Sequence, residues 1–131
     1  MSPASLSLPD VLEIHRDQIE RYGGEPGLRD LGLLQSALAL PAAGFGGRYL
    51  HEDLFEMAAA YLFHLVRSHP FVDGNKRTGS VSALVFLLLN DVEARPSQDD
   101  FEQAVLAVAE GRWEKPDIAA FLRAHSHRRR P

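Results

Sequence analysis

Apolar residues along this chain recur at the three- and four-residue spacing of helices and hardly anywhere at every second position. Leu8, Val11, Leu12, His15, Ile19 and Tyr22 mark one face of a first helix. Ser7 stands at its cap, with Pro9 in the first turn and Asp10 at the capping-box spacing. Gly23 and Gly24 stop it, because glycine takes the left-handed position past a helix end at little cost. A second, short helix is expected from about Asp30 to Leu40, closed by Pro41. The third, about Leu54 to Ser68, and the fourth, about Lys76 to Asn90, are apolar over most of their circumference, as central helices are. The fourth carries Val81, Leu84, Val85, Leu88 and Leu89 on one face and Phe86 and Leu87 on the other. A fifth starts at Ser97, with Asp100 at the capping-box position, and ends at Gly111. A sixth opens with Pro116 and carries Ile118, Phe121 and Leu122.

Between the second and third helices, PAAGFGGRYLHED (residues 41–53) holds three glycines and a proline, which forbid a good helix. It reads as a surface flap or short hairpin around Phe45, Gly46, Gly47, Arg48, Tyr49 and Leu50. No other strand alternation, repeat or low-complexity segment is visible. The expected fold is all-α: one domain over residues 1–131, a compact bundle of about six helices with its core at about 6–124. Residues 125–131 are expected to form a solvated basic tail containing His125 and His127.

Composition narrows the function. A chain of 131 residues, 45% hydrophobic and 24% charged, suits a single globular domain. The absence of cysteine excludes disulfides, thiolate zinc sites and a cysteine nucleophile, and fits a reducing compartment. The net charge is −4, and setting aside Arg128–Arg130 leaves 11 of the 14 basic residues against 18 acidic ones. Such a body has no electrostatic footprint for direct nucleic-acid binding. The opening MSPASLSLPD lacks the basic start and apolar block of a signal peptide. The longest apolar run, Ala83 to Leu89, is far short of the ~18 residues that cross a bilayer. A soluble cytoplasmic protein without membrane contact is expected.

The chemistry concentrates in HPFVDGNKRTG, residues 69–79, between the two most apolar helices. Pro70 disfavours helical angles at His69, so the third helix ends at or before it, and the fourth begins near Asn75. A glycine before a helix start leaves the backbone N–H groups of Gly74, Asn75, Lys76 and Arg77 unpaired, an anion site suited to phosphate. Lys76 and Arg77 add positive charge, and Phe71 would anchor the loop in the core. Asp73 is a hard oxygen ligand beside that nest, suited to Mg2+ shared with phosphate oxygens. His69, across the loop, can take a proton from an attacking hydroxyl. Arg67, two residues earlier, stands where it would hold phosphate or an acidic partner. Together these residues suit transfer of a phosphorus-containing group from a nucleotide to a hydroxyl. The remaining polar landmarks read as structural: His15 and His64 as hydrogen-bonded core or rim groups, Trp113 as core. His51, beside Glu52 and Asp53, matches no zinc spacing.

HPFVDGNKRTG closely resembles the Fic/Doc signature, a His-x-Phe-x-Asp/Glu-Gly/Ala-Asn-x-Arg loop joining two central helices. It resembles the Doc (death-on-curing) branch of toxin–antitoxin modules in particular, as do IERYGGEPGLRD, DLFEMAAAYLFHLVRSH and SALVFLLLN. Lys76 follows the asparagine where nucleotidyl-transferring Fic proteins have glycine, and Ser80 stands where they carry a second arginine. The resemblance implies a kinase that transfers the γ-phosphate of ATP to a threonine of elongation factor Tu and so stops translation. His69 would be the base, Asp73 the magnesium ligand, Gly74, Asn75 and Lys76 the anion nest, and Arg77 a phosphate ligand. The flap would dock the target segment as an added strand. A Phd-like antitoxin would fold an acidic or amphipathic segment across the mouth of the site, at residues 41–77. No Ser/Thr-x-x-x-Glu spacing for inhibition in cis is present. Transfer of AMP instead of phosphate, and an inactive helical binding or autoregulatory module, are the alternative expectations.

Overall fold

The computed structural model describes residues 3–41, 43–45, 48–49 and 53–128. Among these are six α-helices: α1 (Leu8–Tyr22), α2 (Leu31–Ala39), α3 (Leu54–Ser68), α4 (Asn75–Leu89), α5 (Gln98–Ala109) and α6 (Lys115–Ala124). Two small antiparallel ribbons complete the fold. One pairs β1 (Gly44–Phe45) with β2 (Arg48–Tyr49), and the other pairs β3 (Val92–Ala94) with β4 (Ser126–Arg128).

Short polar side chains start the helices. Ser7 and Asp10 close a reciprocal capping box on α1, with Asp10 N donating to Ser7 Oγ at 3.2 Å and Ser7 N to Asp10 Oδ2 at 2.8 Å. Asp30 and Asp53 cap α2 and α3 by accepting from Leu33 N and Glu56 N. At α5 only half of the expected box forms, Asp100 N donating to Ser97 Oγ at 3.1 Å.

The hub is α3, which packs against α4, α6, α2 and α5 and buries every residue from Met57 to Leu62 together with Leu65 and Val66. Each large side chain removed from water in this way contributes roughly 1.5–3 kcal/mol. Gly79 makes the α3–α4 contact close: a Cβ there would lie 2.9 Å from Val66 Cγ2 and 3.3 Å from the Leu62 carbonyl oxygen.

Sequence and structure part on α4. Its apolar circumference suggests a fully central helix, yet the buried stripe is Thr78, Gly79, Ser82, Ala83, Phe86 and Leu87, while Leu88 and Leu89 are 43% and 52% exposed. Its other side, with α1 and α5, walls an open groove of about 610 Å³.

The chain's last described stretch also departs from expectation. Residues 126–128 pair with 92–94, Glu93 opposite His127 and Ala94 opposite Ser126, with His127 exposed. Arg95 N donates to His125 O at 2.8 Å, and Glu93 pairs with Arg95 at 2.7 Å and with His127 at 3.5 Å. His125 caps α6, packing on Phe121 with ring centroids 4.5 Å apart. Strands of three residues next to helices show no readable alternation, which is why the pattern missed them. Arg129 and Arg130 lie outside the described residues.

Candidate active site

The loop between α3 and α4 is built by several independent constraints. His69 ends α3 in the left-handed region (φ 50°, ψ 56°), a conformation a non-glycine residue adopts only when its surroundings hold it. Phe71, 2% exposed, buries its ring in the core. The segment before α2 straps the loop from outside: Leu28 pairs with Phe71, Val72 N donates to Gly27 O at 3.1 Å, and Arg29 N and Asp30 N donate to Pro70 O at 2.8 and 3.0 Å. The Arg29 guanidinium adds two bonds to the end of α3, Nε to His69 O at 2.6 Å and NH2 to Ser68 O at 2.9 Å.

Asn75 closes the loop from inside. Its Oδ1 accepts from Phe71 N and its Nδ2 donates to Phe71 O, both at 3.0 Å, which fixes the amide's orientation. The same Nδ2 lies 3.5 Å from His69 Nδ1, a separation too long to set the tautomer of the ring. The side chain of Asn75 is therefore spent on the loop, and its backbone N–H is what it can offer an anion.

Gly74, at φ 76°, turns the chain into α4, where a Cβ would meet Ile19 Cδ1 at 3.1 Å. Its N–H is taken by Asp73 Oδ1 at 2.8 Å. Among the described residues no side chain caps α4, so the first-turn N–H groups of Asn75, Lys76 and Arg77 form the open end of the helix.

Asp73 is exposed, and its second oxygen accepts from Glu25 N at 3.2 Å. The backbone N–H bonds from Glu25 and Gly74, and then the nearby charge of Arg77, hold its carboxyl below the usual carboxylate range. Arg77 itself reaches back to α1, donating to Gly23 O at 2.7 Å and Gln18 O at 3.3 Å, with its guanidinium carbon 5.7 Å from the Tyr22 ring centre. Five N–H donors leave it others for a phosphate. Gly24 underlies the pair: a Cβ there would lie 2.9 Å from Asp73 Oδ2 and 3.2 Å from Arg77 NH2.

The structure brings His69, Phe71, Asp73, Gly74, Asn75 and Arg77 into one loop and helix start. Lys76 is exposed at the edge of the α1–α4–α5 groove. Arg67 turns elsewhere: its guanidinium packs 5.5 Å from the Phe63 ring centre, which Lys115 also approaches, and among the described residues no hydrogen bond or ion pair joins it to the loop. In the flap β1 and β2 pair antiparallel, Gly44 opposite Tyr49 and Phe45 opposite Arg48. Gly46, Gly47, Leu50, His51 and Glu52 lie outside the described residues.

Among the described residues no cluster of three or more acidic or histidine side chains forms a metal cage. A single exposed carboxylate beside an open helix start would nevertheless fit magnesium, which takes few protein ligands and completes its shell with phosphate and water. Sequence reasoning missed Arg29, Gly24 and the site role of His15, whose Nε2 meets Asp73 O at 2.8 Å. The first lies in IERYGGEPGLRD, where only the likeness of the whole stretch was noted, and the second served fully as a helix stop.

Fold and loop together define a helical domain organised around a histidine loop and an uncapped helix start. The chain belongs to the Fic/DOC family, whose pattern matches residues 5–87. It is 35% identical over 121 residues to "Protein kinase doc" of Escherichia phage P1, covering 90% of this chain and 92% of that protein. It is 46% identical over 72 residues to "Toxin Doc" of Mycolicibacterium smegmatis, covering 55% of each.

Proposed function

We propose that this Doc-type toxin kinase transfers the γ-phosphate of ATP to a hydroxyl of a target protein, with a threonine of elongation factor Tu as acceptor and arrest of translation in the cytoplasm as outcome. The observation that carries the reading is the junction of His69 with an uncapped α4 N-terminus, across a loop that Asn75 closes through its two bonds to Phe71. His69 takes the proton of the attacking hydroxyl. The first-turn N–H groups of Asn75, Lys76 and Arg77, with the two cationic side chains, receive the phosphates. Asp73 would hold Mg2+, which would supply charge neutralisation on the phosphate oxygens. Asp73 is suited to this because its depressed pKa keeps it anionic. In the flap, the β1–β2 ribbon offers a backbone edge to which an extended target segment could add.

The proposed regulator is a Phd-like antitoxin. The groove walled by Tyr22, Val81, Leu84, Phe101 and Leu106, with Lys76 and Arg77 at its rim, supports an amphipathic segment with acidic residues as its occupant. Seated there, the segment would lie on α1, α4 and α5 beside the loop, rather than across the flap.

The deciding experiment incubates the protein with target and either γ- or α-labelled ATP. Label is expected from the γ position alone, and His69→Ala should remove it while leaving the fold intact, a loss of ~10²–10⁴ in rate. Transfer from the α position would overturn the kinase reading in favour of nucleotidyl transfer. Phosphoproteomics after induced expression identifies the acceptor, and a modified protein other than elongation factor Tu would replace it.

A further inference from the structure

Arg29 is an exposed side chain with no acidic partner among the described residues, yet it makes two hydrogen bonds to main-chain carbonyls at a single point. That point is the end of α3, where the chain leaves the helix in order to present His69. Ser68 O and His69 O are among the carbonyls that a helix C-terminus leaves without intrahelical donors, and they carry the negative end of the helix dipole. The guanidinium fork takes both, at 2.9 and 2.6 Å. The backbone of the same residue is pinned as well, Arg29 N donating to Pro70 O at 2.8 Å. Arg29 therefore grips the chain on both sides of the His69 Cα.

His69 needs such a grip. Its left-handed backbone is not the one an L residue chooses unaided, and the direction of its side chain depends on that backbone. From the other side, among the described residues, the ring's one hydrogen-bonding approach is that of Asn75, long at 3.5 Å. The imidazole's place in the site is set chiefly from behind, through the peptide carbonyls.

We propose that Arg29 is a positioning residue for transfer: by bridging Ser68 O and His69 O it holds His69 in the left-handed conformation that aims its imidazole at the acceptor hydroxyl. This rests on the reading of His69 as the base. Arg29 touches neither nucleotide nor acceptor in this role. Its loss changes the rate of the chemical step and not nucleotide affinity, because a displaced base forfeits near-attack geometry. The fork matters more than the charge. A lysine is a single point donor and cannot reproduce a planar two-carbonyl hold.

The test compares Arg29→Gln and Arg29→Lys with the wild type in two measurements. In steady-state kinetics, Arg29→Gln is expected to lower kcat by roughly 10–100-fold with the KM for ATP unchanged, and Arg29→Lys to recover only a minor part. In solution NMR, the backbone and χ1 couplings of His69 are expected to report one conformer in the wild type and an average over several in Arg29→Gln, while the His15 ring signals stay in place. Unchanged kcat in Arg29→Gln, or full recovery in Arg29→Lys, overturns the proposal. A fall in kcat accompanied by unchanged His69 couplings and a lowered melting temperature also overturns it, since that pattern is a general loss of stability. The couplings need no substrate. Should the wild type prove to transfer no phosphate, the kinase reading fails while the hold of Arg29 on His69 is still decided.

Discussion

His15 lies flat on Phe71, their ring centroids 3.8 Å apart and their planes 6° from parallel, and from that position its Nε2 meets the carbonyl oxygen of Asp73 at 2.8 Å. One side chain of α1 thus supports two points of the loop, the apolar anchor and the acidic corner. His15 is itself 6% exposed; its stack on Phe71 is buried, while its bond to Asp73 O is part-buried.

Replacing His15 by phenylalanine separates the two contacts. The ring stack survives, while the Asp73 carbonyl loses its donor. A hydrogen bond of this kind contributes about 1 kcal/mol, and more where the remaining partner stays dry. Denaturant unfolding should therefore show His15→Phe destabilised by about 1–2 kcal/mol, and His15→Ala, which also opens a cavity beside Phe71, by more. Equal stability of His15→Phe and wild type would mean that the bond to Asp73 contributes nothing to holding the loop.

Gly79 sets how closely the two helices flanking the loop approach. A methyl group there must displace Val66 Cγ2 from 2.9 Å and presses on the Leu62 carbonyl at 3.3 Å, and the second contact is with backbone that has little room to move. Gly79→Ala should lower stability by about 1–3 kcal/mol, although alanine is the better helix former. A more stable Gly79→Ala protein in thermal melts would show that the α3–α4 spacing can relax at no cost.

Asp73 gives a pH dependence with a defined sign. Its carboxyl is depressed in the folded state, first by the N–H bonds from Glu25 and Gly74 and then by Arg77. A group of this kind stabilises the fold above its unfolded pKa, ordinarily near 3.8, and loses that contribution as pH falls through its lower folded value. The stability difference between wild type and Asp73→Asn should be constant at neutral pH and close as pH drops below about 3.8. The side chain is exposed and its partners are partly screened, so the difference is small. A gap that persists unchanged into strong acid would rule out the carboxylate's charge as its source.

The helical skeleton was legible because helix punctuation is local. Ser7, Asp10, Gly23, Pro41 and Pro70 act within a few residues of themselves, and the ends they dictate agree with the structure to about a residue. The candidate loop stood out for the same reason, as one contiguous run. What the sequence hid acts across distance. Arg29 reaches the end of α3, His15 reaches Asp73, and residues 126–128 pair with 92–94. None of these contacts leaves a periodic trace, because each is fixed by how the helices come together. The apolar circumference of α4 misled for a related reason: it registers hydrophobicity but not whether a neighbour covers it.

That uncovered side supplies a test of the antitoxin proposal. Tyr22, 68% exposed, and Leu106, 37% exposed, stand on opposite walls of the groove. A folded partner segment seated between them should slow amide exchange in the second half of α1, in α4 and in α5. Tyr22→Asp or Leu106→Asp should weaken binding by about tenfold or more without changing the melting temperature of the isolated chain. Protection confined to the flap, with both variants binding normally, would place the partner elsewhere.

Lys76 and Ser80 are the positions expected to decide which phosphorus atom reacts. They stand one turn apart on the exposed flank of α4, linked by Ser80 Oγ donating to Lys76 O at 2.8 Å, and both border the groove beside the open helix end. In the nucleotidyl-transferring Fic proteins that this chain resembles, glycine at the first position lets backbone lie against a diphosphate, and an arginine at the second grips the far end of the triphosphate. Here a lysine side chain occupies the first place and a hydroxyl turned back on its own helix the second. Nothing in that row grips a terminal phosphate pointing away from His69. The triphosphate is expected to seat with its γ-phosphorus toward the histidine, so that in-line attack releases ADP. Converting both positions, Lys76→Gly with Ser80→Arg, should weaken transfer from γ-labelled ATP and permit some transfer from α-labelled ATP. The arginine has room, because Ser80 lies at the groove and not in the α3–α4 contact. If the double variant keeps full γ-transfer and shows no α-transfer, the orientation of the nucleotide is set elsewhere in the site, and these two positions do not explain the difference between the two chemistries.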